Sequence, residues 1–385
     1  MESFTNGSRR SSTLYSLLLL LLVVAPAAFA TSLTSTADGL GPSSHVAGAN
    51  GHRKLGDVRP EVSPFADADG TGVAEQPARK MQEAGGSLAE ALDESGKGSG
   101  GGGGYFGFGG QTTGGAGGPT VYVDNCNDSG PGSLRYWCGL PGKRVIKFKQ
   151  DCTLRLKSRL ECTNDKTVDG SGQQVKITGW GVSANRVSNV IFKSLCITGT
   201  RLDGVTVRLS SNIVVQGCTI SKVGDGGMDV ITKSTGISIL NNHFTGDLKA
   251  ILVGNSDGAS ADAATRVTVA FNFFDNCGSR LPRVRWATVH VCSNLYVRWG
   301  HYAIGASRKA RLLVEKSIFE PGENLYVNNL HEGEKDGTII EYRGNTLNGA
   351  KLLPTHLGTV DMPFSCPAWS EDSIRSGAGV NYPCV

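Results

Sequence analysis

Helical periodicity is nearly absent beyond Thr120 in this chain of 385 residues, and that scarcity excludes ordinary α/β layering there, in which helical crossovers separate the strands. No CxxC pair occurs among the ten cysteines, which argues against a zinc ribbon or a thioredoxin-like redox site. Beyond the N-terminus no apolar run is long enough to cross a bilayer. Charge imbalance is small too: 38 basic against 34 acidic side chains leave +4, so net charge names no partner. A Gly-His-Gly stretch with paired acids poised for inverting hydrolysis is missing, as is any recognisable nucleic-acid motif.

What is present divides the chain into unlike parts. Arg9 and Arg10, the apolar run Leu17 to Val24 and the small-residue site Ala28-Phe29-Ala30 read as a secretory signal over residues 1–30. The protein is therefore expected outside the cell or in the cell wall, with no membrane attachment once the signal is cleaved. Residues 31–119 are rich in Gly, Ser, Ala, Asp and Pro and poor in large apolar side chains, so they read as a disordered spacer or propeptide. All ten cysteines follow residue 119, and an even number behind a signal predicts disulfides, with the pairing open. Asn127-Asp128-Ser129 is a glycosylation sequon.

From Thr120 to the C-terminus short alternating apolar runs predict many strands. Seven of these runs align, each an alternation, a turn position and a bulky apolar residue. The turn positions are Leu195, Cys218, Asn242, Asn272, Asn294, Ser317 and Asn345, spaced 22 to 30 residues apart. Such a spacing is one solenoid coil, and stacked asparagines can satisfy each other's amides in a buried ladder. The predicted fold is all-β, a right-handed single-stranded parallel β-helix over residues 120–385.

Counting seven or eight residues past successive anchors gives Asp203, Asp225, Lys249 and Arg280, with Asp229 and Arg285 close behind. Stacked coils would set these in one column on one face, roughly 15 Å from end to end. Three carboxylates gathered at an exposed face repel one another unless a hard cation such as calcium lies among them. Acids that hold calcium beside a basic strip suit a uronic-acid polymer better than nucleic acid. Arg283, in the same basic run, has no place in that column and reads as a neighbour.

Several motifs in order then resemble a known family. Gly132-Ser133-Leu134-Arg135, Val145 to Phe148, Val168 to Gly172 and Asn189-Val190-Ile191 resemble the opening coils of pectate lyases of polysaccharide lyase family 1. The resemblance continues through Asp225 to Asp229, Lys249 to Gly254, Arg280 to Arg285 and Tyr302 to Gly305. It implies β-elimination on polygalacturonate or pectin by a Ca2+-dependent enzyme acting as a monomer, with no nucleic acid involved. It assigns Arg280 as the catalytic base and Lys249 and Arg285 as ligands of substrate carboxylates. Asp203, Asp225 and Asp229 would hold the metal. A guanidinium is an unusual base, so this role predicts activity that rises toward alkaline pH.

The chain departs from the family pattern in two places. Val214-Val215-Gln216-Gly217 stands where a Trp-Ile-Asp-His stretch is usual, and Arg201 replaces the first acid of an Asp-Gly-Asp pair. The first departure is expected to change packing near the site, and the second to weaken calcium binding in the absence of substrate. A pectin lyase on methylated chains, or an inactive β-helix that binds wall polysaccharide, are the competing readings.

Overall fold

Strands too short to fold alone stack coil upon coil in the computed structural model, which describes residues 104–329, 336–354 and 358–384. The expected signal at 1–30 and residues 31–103 of the expected spacer lie outside the described residues. The coils build three parallel sheets, of ten, seven and eight strands. The ten-stranded sheet runs from Thr120–Val123 to Ile339–Arg343, the seven-stranded from Leu160–Glu161 to Gly305–Ser307, and the eight-stranded from Cys152–Arg155 to Ile318–Glu320. This is the right-handed parallel β-helix expected from the repeat. No helix among the described residues is long and apolar enough to cross a membrane.

Alternation turns every second side chain inward, where the coil repeat stacks like on like. Val190, Ile213, Ile237, Val267, Val289, Leu312 and Ile340 form one such buried row in register. The bulky positions of the repeat form another. Phe244, Phe274, Tyr296 and Phe319 stack nearly parallel with ring centres 5.2, 5.0 and 4.5 Å apart.

The turn anchors make the expected ladder. Asn242 Oδ1 accepts from Cys218 N at 2.9 Å, Asn272 Oδ1 from Asn242 N at 2.8 Å, and Asn294 Oδ1 from Asn272 N at 2.9 Å. Each amide nitrogen in turn donates to a carbonyl of the preceding coil, as Asn272 Nδ2 does to Ile239 O at 2.9 Å. Ser317 and Asn345 continue the line.

Four disulfides staple the coils: Cys126–Cys152, Cys138–Cys162, Cys196–Cys384 and Cys292–Cys366. The expectation that all ten cysteines pair does not hold. Cys218 and Cys277 are buried thiols in the core, filling inward positions as small hydrophobes.

The glycine-rich run also departs from the sequence reading. Residues 104–118 lie on the outer face of the ten-stranded sheet, where Tyr105 and Phe106 bury against Ile191, Val214, Leu240 and Phe271. Outward hydroxyls and amides hold the strap: Phe108 N donates to Thr268 Oγ1 at 3.0 Å, Gly109 N to Ser238 Oγ at 2.8 Å, and Thr113 N to Asn189 Oδ1 at 2.7 Å. The backbone comes so close that a Cβ on Gly107 would meet Thr268 Oγ1 at 2.2 Å. Val214 and Gln216 belong to this sheet. The missing Trp, at Val214, therefore bears on strap packing, while Gly217, at the His position, has Ser194 and Gly379 as its nearest neighbours.

Candidate active site

The candidate residues gather where chain leaves the eight-stranded sheet and enters the seven-stranded one. Asp203 precedes Val205–Arg208, Asp225 precedes Met228–Ile231 and Asp229 lies within it, Lys249 precedes Ile251–Val253, and Arg280 precedes Arg283–Arg285, which Arg285 ends. The single expected column resolves into adjacent rows. Register sets Thr206, Asp229, Leu252, Arg283 and Gly305 side by side. Lys249 O accepts from Gly227 N, and Lys249 bridges to Ser279, the residue before Arg280. Counting from the anchors slips because the stretch from Asn242 to Ile251 is one residue shorter than the equivalent stretches before Val205 and Met228.

Arg280 is held in an unusual backbone conformation. Its φ is 62°, in the left-handed region, and its carbonyl accepts from Ile251 N at 2.6 Å while Leu281 N donates to Ala303 O at 2.7 Å. Bonds to the coils on both sides fix this costly geometry, a pattern that clusters at functional positions.

The charges around it are densely coupled. Asp229 is half-buried, and its carboxyl is pushed up to about 7, first by burial and then by the carboxylates of Asp203 and Asp225, against the pull of Arg280 and Lys249. Lys249 Nζ is bonded to Asp225 Oδ1. Asp203 Oδ2 accepts from Thr206 Oγ1 at 3.0 Å and from Arg159 Nη2 at 3.4 Å. Arg285 is held by Asp257, which also binds Arg308.

A divalent cation fits this donor set in part. The space that a side chain on Gly226 would fill is bounded by Asp229 Oδ1 at 3.3 Å and Asp203 Oδ1 at 3.7 Å, so two carboxylates face a hollow kept open by a glycine. All-oxygen sites of this kind suit calcium. The full trio is wider. Among the described residues, the donors that converge within 4.8 Å of one another are those of His290, Cys292 and Cys366, whose two sulfurs are joined to each other.

Sequence reasoning missed three residues here. Arg283, set aside above, is buried, shares a row with Asp229 and donates from Nη2 to Ser307 Oγ at 2.9 Å. Desolvation, and then the nearby cation Arg285, pushes its guanidinium down to about 10. Its outward place in the strand was readable, but its burial against the next coil was not. Asp247, two residues before Lys249, is buried with Oδ1 on Val223 N at 3.0 Å and Oδ2 without a partner. Asp257 sits in a loop outside the repeat, where no periodicity points to it.

Two open grooves flank the cluster. One, of about 830 Å³, lies over the early coils between Asn127 and Arg201, and the other, of about 730 Å³, lies over the later coils between Gly246 and Asn324.

The chain resembles known proteins over most of its described length. The family model of pectate lyases matches residues 145–355. An Arabidopsis thaliana protein named as a pectate lyase is 33% identical over 292 residues, covering 67% of this chain and 74% of that one. Pectate lyase 1 of Cryptomeria japonica is 36% identical over 249 residues, covering 57% and 67%. Among solved structures, the cedar pollen allergen jun a 1 aligns at a TM-score of 0.65 and 29% identity, over 73% of this chain and 94% of that one. The Bacillus sp. N165 pectate lyase, solved with trigalacturonate, shares the fold at a TM-score of 0.60 and 19% identity, over 71% and 98%. The chain belongs to the pectate lyase family and is a polysaccharide lyase.

Proposed function

We propose that this protein is a secreted, monomeric, calcium-dependent pectate lyase that cleaves α-1,4-polygalacturonate by β-elimination. One observation supports the reading above others: acids and cations from successive coils meet in one cluster, with Lys249 Nζ bonded to Asp225 Oδ1, Asp203 and Asp229 facing one hollow at Gly226, and the backbone of Arg280 bonded to the coil of Lys249. Arg280 takes the proton from carbon 5 of a galacturonate. The electrons of that C–H bond become the carbon 4–carbon 5 double bond, and the carbon 4–oxygen bond breaks toward the departing sugar, which takes up a proton. Lys249 and Arg285 bind the carboxylate at carbon 6 and spread the negative charge that develops as the proton leaves. Asp203, Asp225 and Asp229 would hold calcium, which when bound supplies further positive charge at that carboxylate.

A second reading has an observation of its own. Lys249 already pairs with Asp225, and Arg159 with Asp203, which fits a polysaccharide binder whose acids are neutralised internally. The deciding experiment follows the absorbance of unsaturated product on polygalacturonate and on methylated pectin, with and without a chelator. Product on polygalacturonate that disappears with chelator is the expected result. Product that survives chelation and prefers methylated chains would indicate a pectin lyase, and binding without product a non-catalytic protein. Arg280→Lys should lower turnover by roughly 100-fold or more at unchanged melting temperature, and near-normal turnover would remove Arg280 as the base.

A further inference from the structure

The groove over the early coils is not explained by the chemistry at Arg280. Its charged lining is Arg155, Lys157, Arg201 and Asp128. Asp128 is already engaged: its Oδ1 accepts from Arg135 Nη2 at 2.7 Å and from Lys157 N at 3.1 Å. Among the described residues none of Arg155, Lys157 and Arg201 forms an ion pair, so the groove keeps an unmatched positive charge. Arg201 also has a neighbour that can orient it. Its guanidinium carbon lies over the Trp180 ring, 5.7 Å from the ring centre and within cation–π range.

The placement of these groups follows the coils. Arg155 pairs in register with Thr178, just before Trp180, and Gly179 pairs with Thr200, just before Arg201. Arg155 and Arg201 are thus two coils apart, roughly 10 Å, and Gly199 leaves open space between the walls. Two residues past Arg201 the chain reaches Asp203, and Arg159, two residues past Lys157, pairs with Asp203, so the groove lies beside the candidate cluster. A polyuronate extending from Arg280 along the coils would bring further carboxylates over it.

We propose that this groove is an additional uronate subsite, in which Arg201 and Arg155 bind substrate carboxylates directly and Trp180 positions Arg201. The proposal rests on the polygalacturonate reading above. It gives the arginine that replaces a family acid a purpose: where a carboxylate would meet substrate through a metal, a guanidinium meets it without one.

The test uses the full chain, polygalacturonate, and oligogalacturonates of graded length, with both equilibrium binding and initial rates. Arg201→Ala and Arg155→Ala should each weaken binding of long chains by about tenfold, with the loss falling on KM rather than kcat. The penalty should vanish on oligomers too short to reach the groove. Trp180→Leu should mimic part of the Arg201→Ala effect without removing a charge, and Arg201→Lys, which keeps the charge but not the planar fork, should be intermediate. Melting curves report folding, and Arg201→Lys serves if the alanine variant is unstable. Wild-type cleavage of polygalacturonate with variants within about twofold on long chains would overturn the subsite alone. Failure of the wild type to bind or cleave polygalacturonate would overturn the functional reading and the subsite with it.

Discussion

Arg285 Nε donates to Asp257 Oδ1 at 2.8 Å, while Arg308 Nη2 holds the other oxygen of the same carboxylate at 2.6 Å. The hydrogen bond from Arg308 comes first among the effects that hold the Asp257 carboxyl below its usual range. The bond to Arg285 uses Nε and so does not occupy the terminal nitrogens of that guanidinium. In the proposed reaction, Asp257 is thus assigned as a positioning residue for Arg285. Asp257→Ala should raise KM for polygalacturonate about three- to tenfold, with Asp257→Asn restoring part of the loss. Stability should change by less than about 1 kcal/mol, since the carboxylate is exposed. A lowered KM would mean instead that Asp257 competes with substrate for Arg285.

The asparagine ladder makes a prediction about stability alone. Asn272 sits in its middle, accepting from Asn242 N and Asn242 Nδ2 and donating to Ile239 O and Asn294 Oδ1. Asn272→Ala would leave several buried polar groups unpaired at once, at a cost of about 3 kcal/mol or more. Chemical denaturation should show the loss, and it should exceed that of Asn345→Ala at the less buried end of the ladder.

How much could be read in advance follows from where each residue's role is decided. A coil repeats its environment, so the ladder from Cys218 to Asn345 and the aromatic stack from Phe244 to Phe319 impose a period on the sequence. Asp203, Asp225, Asp229, Lys249 and Arg280 were legible for the same reason, although a coil one residue short displaced their exact alignment. Asp257 and Asp247 act through a loop and an orphaned oxygen, and neither leaves a period. The glycines of the strap were misread because low complexity usually marks a chain that cannot bury anything. Here glycine is needed for the opposite reason, since a Cβ at Gly107, Gly109 or Gly115 would collide with the sheet.

Asp247 should impose a pH dependence on stability. Burial pushes its carboxyl from 3.8 up to about 7, against the opposing hydrogen bonds from the backbone of Val223 and Lys222. The folded state thus holds a proton that the unfolded state gives up at lower pH. The stability linked to that proton is full below about pH 4 and is lost as pH rises through about 7. Asp247→Asn keeps an acceptor for Val223 N and cannot ionise. It should melt near the wild type at pH 4, and at pH 8 exceed it by an amount on the order of 2 kcal/mol. Parallel melting profiles across that range would show that Asp247 does not carry the dependence.

The strap from Gly104 to Gly118 should contribute to the fold as an integral layer. Phe106 packs 5.3 Å from Phe271, ring centre to ring centre, and Ser238 Oγ both accepts from Gly109 N and donates to Phe106 O at 2.6 Å. Phe106→Ala would remove a buried ring from an otherwise flat sheet face and should cost about 3 kcal/mol. Gly107 has a φ of 85°, and an alanine there would meet both the left-handed backbone and Thr268. Gly107→Ala should therefore cost about 2 kcal/mol or more. Thr268→Ala reduces the collision but leaves the backbone cost and removes the hydroxyl that Phe108 N donates to, so the double variant should recover only part of the loss. If both single variants melted with the wild type, the strap would lie on the sheet without stabilising it, and the ten-stranded sheet would be stable with its outer apolar row uncovered.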